Sequence, residues 1–573
     1  MFVKQVKQKN GRIYLSLAHG YRQDGKAKTR TIESLGYLDE LEKQYVDPVA
    51  HFKTICEEQN ALAKQAIAPV PITIHPAQKI NKREVSRKNI GSAIPLAHYN
   101  SLGIEKVLRN AMRDSKAKYD INAIMRLLVT ERLLHPGSKL SAYDNRENYF
   151  FRNDFSEDDV YRALDVFAAY KNNIIAAMNR NIEAIAKRNT SHVFYDVTNY
   201  YFEIDKPDEL RCRGVEKNHR PDPIVQMGLL QDANAIPINY RVFPGNTNDC
   251  LTMLPVLKDL KAELALDKVI VVADKGLNTS DNIAAAILDG NGFVFSQSIR
   301  GTKSTKDLRE WVISDAGYKK NKEDTFKIKS RQDIKTLHVE GADGKKKDVS
   351  IEIKVVAYWS AKYAARARHK RAETIEKAKK LVNNPGAYTK TSSYGAAKYV
   401  KNISFDKKTG EVLEDAGKCA TLDEDMIAQE EACDGYYCII TSETKLPDQE
   451  IIDIYKGLWK IEEAFRISKN DLSTRPVYVS TPKHIEAHFL TCYIALTIIR
   501  LIQFDFDFKH SAASIIAELE KMSGTHLQDN WWLFDHRSDF SDELSKSVGI
   551  DLSKKHMQLK EIKSVLTSVN RKP

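Results

Sequence analysis

The period of hydrophobic and polar positions changes several times along the chain, and each change predicts a different kind of structure. Over residues 1–65, apolar and polar side chains alternate around turn residues, which predicts a small β-rich N-terminal domain. Prolines cluster within 66–87 and predict a linker. From 88 to 190 the apolar residues recur at helical intervals, so we expect a helical domain there.

Residues 191–299 carry the pattern of a mixed sheet. Three β-branched and aromatic runs, at 192–198, 224–230 and 236–243, predict a three-stranded antiparallel meander. A helical stretch follows, and the short apolar run 269–274 then predicts a buried strand. An antiparallel meander followed by a helix and one more buried strand favours a mixed sheet with helices packed on it.

The sheet pattern is interrupted between residues 300 and 435. This segment combines lysine-rich loops, short strands such as 351–357 and a basic helix at about 361–381. A gap of this length is too long for a simple loop, so it predicts an inserted domain.

The sheet pattern resumes after the insertion. A strand at 436–440, a helix at 447–470 and a helix at 485–502 that is apolar on nearly every side predict a second part of the sheet domain over 436–505. The last segment, 506–573, predicts a C-terminal helical region. The predicted fold class is therefore α/β, within a multidomain α+β arrangement.

Composition excludes several classes of protein. The chain has 573 residues, of which 42% are hydrophobic and 29% are charged, and this balance is typical of a folded globular protein rather than a disordered one. Lys and Arg number 88 against 77 Asp and Glu, and the net charge of +11 weakly favours a polyanionic partner such as nucleic acid. The helical domain 88–190 is then a candidate for DNA contact.

Cysteines and apolar runs bear on location. Seven cysteines without a C-x-x-C pair provide neither a disulfide framework nor a zinc site. The N-terminus lacks an apolar signal segment, and the longest apolar run, 489–499, is shorter than the roughly 18 to 20 residues of a membrane span. We expect a cytoplasmic protein with no membrane partner.

Three acidic residues stand out by their positions. Asp196 lies inside an apolar strand, Asp274 lies directly at the end of another, and Glu462 lies on a helix. A carboxylate within an apolar strand costs free energy unless it is paired or binds a cation. Oxygen ligands supplied sparsely from separate elements suit Mg²⁺, and two such ions about 3.5 to 4 Å apart support in-line phosphoryl displacement.

Each carboxylate also has a purely structural interpretation. In that interpretation Asp196 pairs with a nearby basic residue and Asp274 caps the next turn. Glu462 forms an i,i+4 ion pair with Arg466. Taken singly, these interpretations are at least as good as the catalytic one. The order of the three residues along the chain favours catalysis.

That order resembles the DDE transposases of bacterial insertion sequences, whose catalytic domain has a ribonuclease-H-like fold. The helix is similar to the family branch with the signature Y-x2-R-x3-E-x6-K, in which Tyr455, Glu462 and Lys469 occupy the Tyr, Glu and Lys positions. The resemblance is strong over 190–500 and looser before it. Further similar segments are 195–198, 214–222, 243–247, 273–276 and 475–477.

The resemblance implies a cut-and-paste transposase. Such an enzyme binds the terminal inverted repeats of its own element, hydrolyses phosphodiester bonds to free 3′-hydroxyls and joins them to target DNA. Asp196, Asp274 and Glu462 are then the catalytic and metal-binding residues, and they hold two Mg²⁺, with Mn²⁺ as a substitute. The implied partners are double-stranded DNA and a second copy of the chain in a homodimeric synaptic complex. The implied location is the bacterial cytoplasm, in association with the nucleoid.

The resemblance also assigns DNA contacts near the ions. Tyr455 and Lys469 are expected to anchor phosphate, and Lys275 is a further DNA contact beside the second carboxylate. Leu458 occupies the signature Arg position, which puts the contact made by that Arg in doubt. A helical wheel sets Arg466 on the same face, so we hypothesise that Arg466 supplies the missing guanidinium.

Two basic segments complete the predicted DNA contacts. Lys217, His219 and Arg220 follow the first strand and are expected to hold the scissile strand, with an ordinary polar turn as the alternative. The insertion helix is expected to face phosphates, with a solvated helix surface as the alternative. Its basic residues are Arg366, Arg368, Lys370 and Arg371.

Two other functions share these features. One is a catalytically inactive, transposase-derived DNA-binding repressor, although such a protein has no physical reason to keep a full set of acidic residues. The other is a nuclease of the same fold that never joins strands.

Overall fold

The computed structural model describes most of the chain, in two compact units formed by residues 1–82 and 83–573. Each unit is described by itself below. The described residues are 1–23, 26–65, 72–73, 76–77, 79, 81–82, 84–204, 206–214, 222–264, 268–301, 305–340, 346–387, 389, 393, 395–403, 412 and 420–569.

The first unit is an antiparallel three-stranded sheet with helices following it, in line with the predicted β-rich start of the chain. Leu15 and Leu17 of the central strand are buried, as is Cys56 of the long helix, so sheet and helix share a small core. Its elements are β1 (Phe2–Lys7), β2 (Ile13–Gln23), β3 (Lys26–Tyr37), α1 (Leu38–Leu41) and α2 (Pro48–Gln65).

The second unit is built on a large mixed sheet with helices on both faces. Its strands are β4 (Arg87–Asn89), β5 (His192–Tyr201), β6 (Ile224–Asp232), β7 (Pro237–Pro244), β8 (Ile270–Ala273), β9 (Gly292–Ser296), β10 (Lys319–Lys320), β11 (Phe326–Glu340), β12 (Lys346–Ser360), β13 (Val400–Lys401), β14 (Thr421–Leu422), β15 (Tyr436–Thr441), β16 (Ser523–His526), β17 (Trp531–Phe534) and β18 (His556–Gln558).

The helices of the second unit include those that cover the two faces of the large sheet. They are α3 (Ala93–Ser101), α4 (Ile104–Ala111), α5 (Ile121–Leu134), α6 (Lys139–Asp144), α7 (Glu157–Ala169), α8 (Lys171–Ala186), α9 (Met253–Leu264), α10 (Ser280–Leu288), α11 (Lys306–Ile313), α12 (Ala361–Asn383), α13 (Glu424–Ala432), α14 (Asp448–Lys456), α15 (Trp459–Arg466), α16 (Pro482–Asp505), α17 (Ala512–Lys521), α18 (Asp539–Ser547) and α19 (Leu559–Val569).

Five strands form the predicted catalytic sheet. β5, β6 and β7 are an antiparallel meander, while β8 and β9 follow β5 in parallel, giving the order β7-β6-β5-β8-β9. Every residue of β6 is buried, because helices cover both faces of the sheet at its centre. This arrangement agrees with the expected ribonuclease-H-like mixed sheet.

The inserted segment continues the same sheet. β15 pairs with β9, and β12, β11 and β10 extend the sheet beyond it, so that nine strands lie side by side. The prediction of short strands in this segment is wrong, since β11 and β12 are each 15 residues long. Their apolar pattern is masked because Lys327 and Lys329 of β11 lie against the rings of Tyr318 and Trp311.

The helices α3 to α8 share one hydrophobic core with a sheet face and with α16. The sequence predicted α16 as a buried core helix, and the structure confirms it. By length and composition α16 would also suit a membrane span, but 94% of its most apolar window is buried in the protein, as in the core helix of a soluble protein.

The C-terminal segment is not purely helical, so that expectation is corrected. Its three short strands, β16, β17 and β18, form a four-stranded sheet with β4, which lies more than 400 residues earlier in the chain. Strands of three or four residues give too little periodicity to detect, and their partner is remote in sequence.

Candidate active site

Two of the predicted acidic residues lie on neighbouring parallel strands, Asp196 in the middle of β5 and Asp274 directly after β8. β5 pairs with β8 as far as Phe194 and Val272, and two more residues along this pairing set Asp196 beside Asp274. Adjacent strands lie about 5 Å apart. β9 continues the row, because its last residue, Ser296, donates a hydrogen bond to Asp274 Oδ1 over 2.8 Å. Polar side chains thus lie on three neighbouring strands where the parallel pairing of β5, β8 and β9 ends.

The segment that carries Glu462 crosses the same face of β5. Phe194, Asp196 and Thr198 alternate along the strand and therefore point to one face. Gly457, just before α15, lies so close to the Phe194 ring that a Cβ there would be 2.5 Å from Cζ. After α15, Lys469 donates a hydrogen bond to Thr198 Oγ1. The helix between these two contacts passes over the strand near Asp196.

The two consecutive glutamates of α15 have different surroundings. Glu463 accepts a hydrogen bond from Arg500 over 2.8 Å and lies 3.5 Å from Arg466. Glu462 is exposed and has no hydrogen-bond or ion-pair partner in the part of the chain that the structure describes. The alternative of a Glu462–Arg466 ion pair is wrong, because Arg466 pairs with Glu463 and Asp471.

The structural alternative for Asp274 is also wrong. Its carboxylate does not cap the following turn but accepts hydrogen bonds from the hydroxyls of Ser296 and Tyr455. The Tyr455 bond is 3.4 Å long and brings the signature tyrosine to the second acidic residue. Burial raises the pKa of Tyr455 above its ordinary value, so the hydroxyl stays protonated and remains a donor at neutral pH.

The acidic residues have the chemistry that a divalent ion requires. Asp274 and Glu462 are exposed, Asp196 is half-buried, and carboxylate oxygens are the ligands that Mg²⁺ prefers. Within the described ranges, no three Asp, Glu, His or Cys side chains are gathered closely enough to hold an ion. The three predicted carboxylates are therefore of the right chemical type for a divalent ion but are not gathered into one cluster.

Lys469 lies in a single π-helical turn, Ile467–Asp471, that follows α15. Its ammonium group is 5.4 Å from the centre of the Tyr200 ring, and the Tyr200 hydroxyl is bonded to Ser468 Oγ over 2.9 Å. Single π turns inside helices are frequent at functional sites. The turn directs the signature lysine back to the strand that carries Asp196.

Two family models match the sequence. The IS1634 family transposase N-terminal domain matches residues 3–70, and the transposase DDE domain matches residues 225–498, which include Asp274 and Glu462 and begin after Asp196. The chain belongs to the DDE transposases of bacterial insertion sequences. It is therefore a metal-dependent nuclease and strand transferase. A comparison with curated proteins finds no match.

The transposase has no arginine at the signature position. Leu458 is 7% exposed and packs in the main core, so this position is structural here. Arg466 is half-exposed between Glu463 and Asp471, and Lys275 is exposed beside Asp274. The predicted strand-holding residues, Lys217, His219 and Arg220, lie outside the described residues.

A basic cavity of about 440 Å³ lies beside α12 in the insertion of the transposase. Arg371 does not face solvent as expected, because it is buried and paired with Asp434 over 2.5 Å. Arg366 and Lys370 are exposed at the cavity, while Arg368 is exposed outside its lining. The cavity lining consists of Arg300, Tyr363, Arg366, Ala367, Lys370, Arg371, Thr374, Gly395, Lys398, Tyr399, Glu430, Asp434 and Tyr437.

Two residues near the acidic pair were missed from the sequence. Tyr437 lines the basic cavity and stacks on Tyr358, with ring centres 5.3 Å apart. Burial raises the pKa of Tyr437, and the Asp274 charge adds to this rise. Ser296 was detectable in principle, because it ends an apolar strand as Asp274 does.

Proposed function

We propose that this transposase binds the terminal inverted repeats of its own element, hydrolyses phosphodiester bonds to free 3′-hydroxyls, and joins these ends to target DNA. The observation that carries the proposal is that Asp196 and Asp274 each follow the last paired residues of two adjacent parallel strands by two positions, beneath the segment that bears Glu462. Hydrolysis and joining are both in-line displacements at phosphorus, so one set of carboxylates serves both steps.

Asp196, Asp274 and Glu462 are proposed to hold two Mg²⁺, for which Mn²⁺ substitutes. When bound, the ions activate the attacking oxygen and stabilise the leaving oxygen. Within the protein, the Ser296 and Tyr455 hydroxyls orient the Asp274 carboxylate, because each donates to the same oxygen, Oδ1. The approach of Glu462 to the aspartates is expected to accompany DNA binding.

Lys469 is proposed to hold the scissile phosphate, and Tyr455, whose single hydroxyl proton is donated to Asp274, is proposed to lie beside this phosphate. Lys469 donates to the neutral hydroxyl of Thr198, and a phosphate oxygen is a stronger acceptor for an ammonium group. The half-exposed Arg466 is proposed to add a guanidinium contact, at the cost of its ion pairs with Glu463 and Asp471. Lys275 provides a further cation at the strand end.

The proposed DNA path continues along the basic cavity of the insertion. Arg366 and Lys370 are exposed there, and Tyr437 of β15 lines the same cavity. Lys217, His219 and Arg220 are proposed to hold the scissile strand from the connection after β5. Cleavage of two element ends in one complex favours a homodimer, and we propose that it acts on the nucleoid in the cytoplasm.

The experiment uses purified protein, Mg²⁺ and a labelled duplex taken from the end of the element. The wild type is expected to nick the duplex at the element boundary and to join the free 3′-hydroxyl to a plasmid. Asp196→Ala and Glu462→Gln are expected to bind the duplex with wild-type affinity without nicking it. Tight binding without nicking by the wild type would identify a repressor, and nicking without joining would identify a nuclease.

A metal-binding measurement makes the site assignment independent of turnover. Mn²⁺ bound to the protein–duplex complex is counted by electron paramagnetic resonance. Asp196→Ala is expected to lose bound Mn²⁺, whereas Asp281→Ala, which removes an exposed carboxylate on α10, is expected to keep it. Equal Mn²⁺ binding by the wild type and Asp196→Ala would reject the proposed ligand set.

A further inference from the structure

A buried arginine of the core helix α16 is bonded to the helix that carries Glu462. Arg500 is 0% exposed, and its guanidinium donates to Glu463 Oε2 over 2.8 Å and to the Lys460 carbonyl oxygen over 2.7 Å. A third bond, of 3.0 Å, joins it to Gln503 Oε1 on its own helix. Two of the three bonds therefore end on α15.

These bonds fix the rotation of α15 about its axis. At 100° per residue, Lys460 and Glu463 lie 60° apart and form one side of the helix, while Glu462 points 100° away from Glu463. Ile461 and Phe465 face the core on another side. With the core side and the arginine side both held, Glu462 is left on the exposed arc.

A planar guanidinium fixes the rotation of a helix better than apolar packing does. Its donors have fixed directions, so they specify where the Glu463 carboxylate and the Lys460 carbonyl must lie. Apolar contacts of the core side restrict the helix less, because they are not directional. A buried guanidinium is costly when its donors lose their acceptors, so rotations of α15 that break the bonds to Glu463 and Lys460 are unfavourable.

We propose that Glu463 and Arg500 are positioning residues that set the direction of the Glu462 carboxylate toward the paired aspartates. The two consecutive glutamates thus have separate roles, one as ligand and one as the anchor of the helix. This inference rests on the proposed function, because it takes Glu462 as a metal ligand. It assigns neither Glu463 nor Arg500 a contact with DNA or metal.

The test measures Mn²⁺ affinity and nicking on the full chain bound to the end duplex. Glu463→Gln keeps the shape of the side chain and removes its charge, and Arg500→Lys keeps the charge and removes the fork of donors. Both are expected to raise the Mn²⁺ concentration for half-maximal nicking about tenfold, the size of effect found for groups that orient metal ligands. DNA affinity is expected to stay unchanged.

The matched control is Glu486→Gln. Glu486 pairs with Lys171 over 2.5 Å, which makes it a half-buried ion pair between helices outside α15. It is expected to lower the melting temperature as much as Glu463→Gln does, with no change in the Mn²⁺ requirement. An equal shift in the Mn²⁺ requirement for Glu463→Gln and Glu486→Gln would show that loss of stability alone causes the effect, and it would overturn the inference.

Glu462→Gln separates this inference from the proposed function. If Glu462→Gln loses bound Mn²⁺ while Glu463→Gln and Arg500→Lys keep wild-type Mn²⁺ affinity, the positioning role is wrong and the ligand assignment stands. If Glu462→Gln itself binds Mn²⁺ as the wild type does, the ligand assignment fails, and the positioning role fails with it. Loss in Glu462→Gln together with a tenfold shift in the other two variants supports both.

Discussion

Hydroxyl groups hold the Asp274 carboxylate, and removing one of them is expected to slow catalysis. Tyr455→Phe deletes the donor that lies 3.4 Å from Asp274 Oδ1 and leaves the ring in place. A hydrogen bond to a charged group contributes roughly 1.5 to 3 kcal/mol, and the length of this one favours the lower value. We expect nicking to fall about tenfold, measured as the initial rate at saturating Mg²⁺.

The control for this variant is Tyr478→Phe, since Tyr478 is 64% exposed. It is expected to nick at the wild-type rate. Because burial raises the pKa of Tyr455, its hydroxyl stays protonated above the ordinary range. The wild-type advantage over Tyr455→Phe should therefore persist as the pH rises to about 10. An advantage that vanished between neutral pH and about 9 would contradict this role for the hydroxyl.

Residues with a strong local signal were predictable, and residues defined only by distant partners were not. Asp196 and Asp274 stand out because each interrupts or ends an apolar strand, and Glu462 follows from the spacing of its helix. The choice between Glu462 and Glu463 rested on the signature alone. Arg500 gave no signal as a partner of Glu463, because it lies on another helix and reads as the end of an apolar run.

The contact between α15 and β5 depends on the absence of a side chain at Gly457. A Cβ at this position would lie 2.5 Å from the Phe194 ring, so Gly457→Ala is expected to push the helix away from the strand. Overpacking of this kind costs about 1 to 3 kcal/mol. We expect a lower melting temperature and a larger loss of nicking, since the displacement separates Glu462 from Asp196.

Phe194→Leu in the Gly457→Ala background tests the steric cause. The smaller side chain is expected to restore part of the nicking rate, and a double-mutant cycle measures the coupling. Gly386→Ala is the control, because a Cβ there meets nothing within 4 Å. Additive effects of the two substitutions at Gly457 and Phe194 would contradict a direct contact between them.

Elements were predictable where their own side chains carried the pattern. The meander β5 to β7, the strand β8 and the core helix α16 are rich in apolar residues over their own length, so each was visible in the sequence. The β11–β12 hairpin was not visible in the sequence. Lysines of β11 pack on aromatic rings, at positions where a lysine ordinarily predicts exposure to solvent. The pairing of β4 with β16 depends on residues too distant for any local pattern.

The largest hydrophobic core of the second unit also buries ionisable groups. Burial raises the pKa of Glu131 to about 7, although Tyr149 and Asn145 donate hydrogen bonds to its carboxylate. Burial likewise lowers the pKa of Lys139 to about 7, and the neighbouring Arg132 charge adds to this effect. Burying these two groups among the helices lowers the free energy of unfolding by an amount that depends on pH.

Lys139→Met is expected to stabilise the protein most at low pH. Below about pH 7 the folded protein carries a buried ammonium group at Lys139. Between about pH 7 and 10.5 only the unfolded chain binds this proton. The stability of the wild type therefore rises with pH through that window. Methionine removes this cost, which is on the order of a few kcal/mol. Urea unfolding at several pH values should show the gain shrinking as the pH rises, whereas Lys106→Met, at an exposed position, should show no pH-dependent gain. A gain for Lys139→Met that is constant across the window would mean that Lys139 is not buried as a cation in the fold.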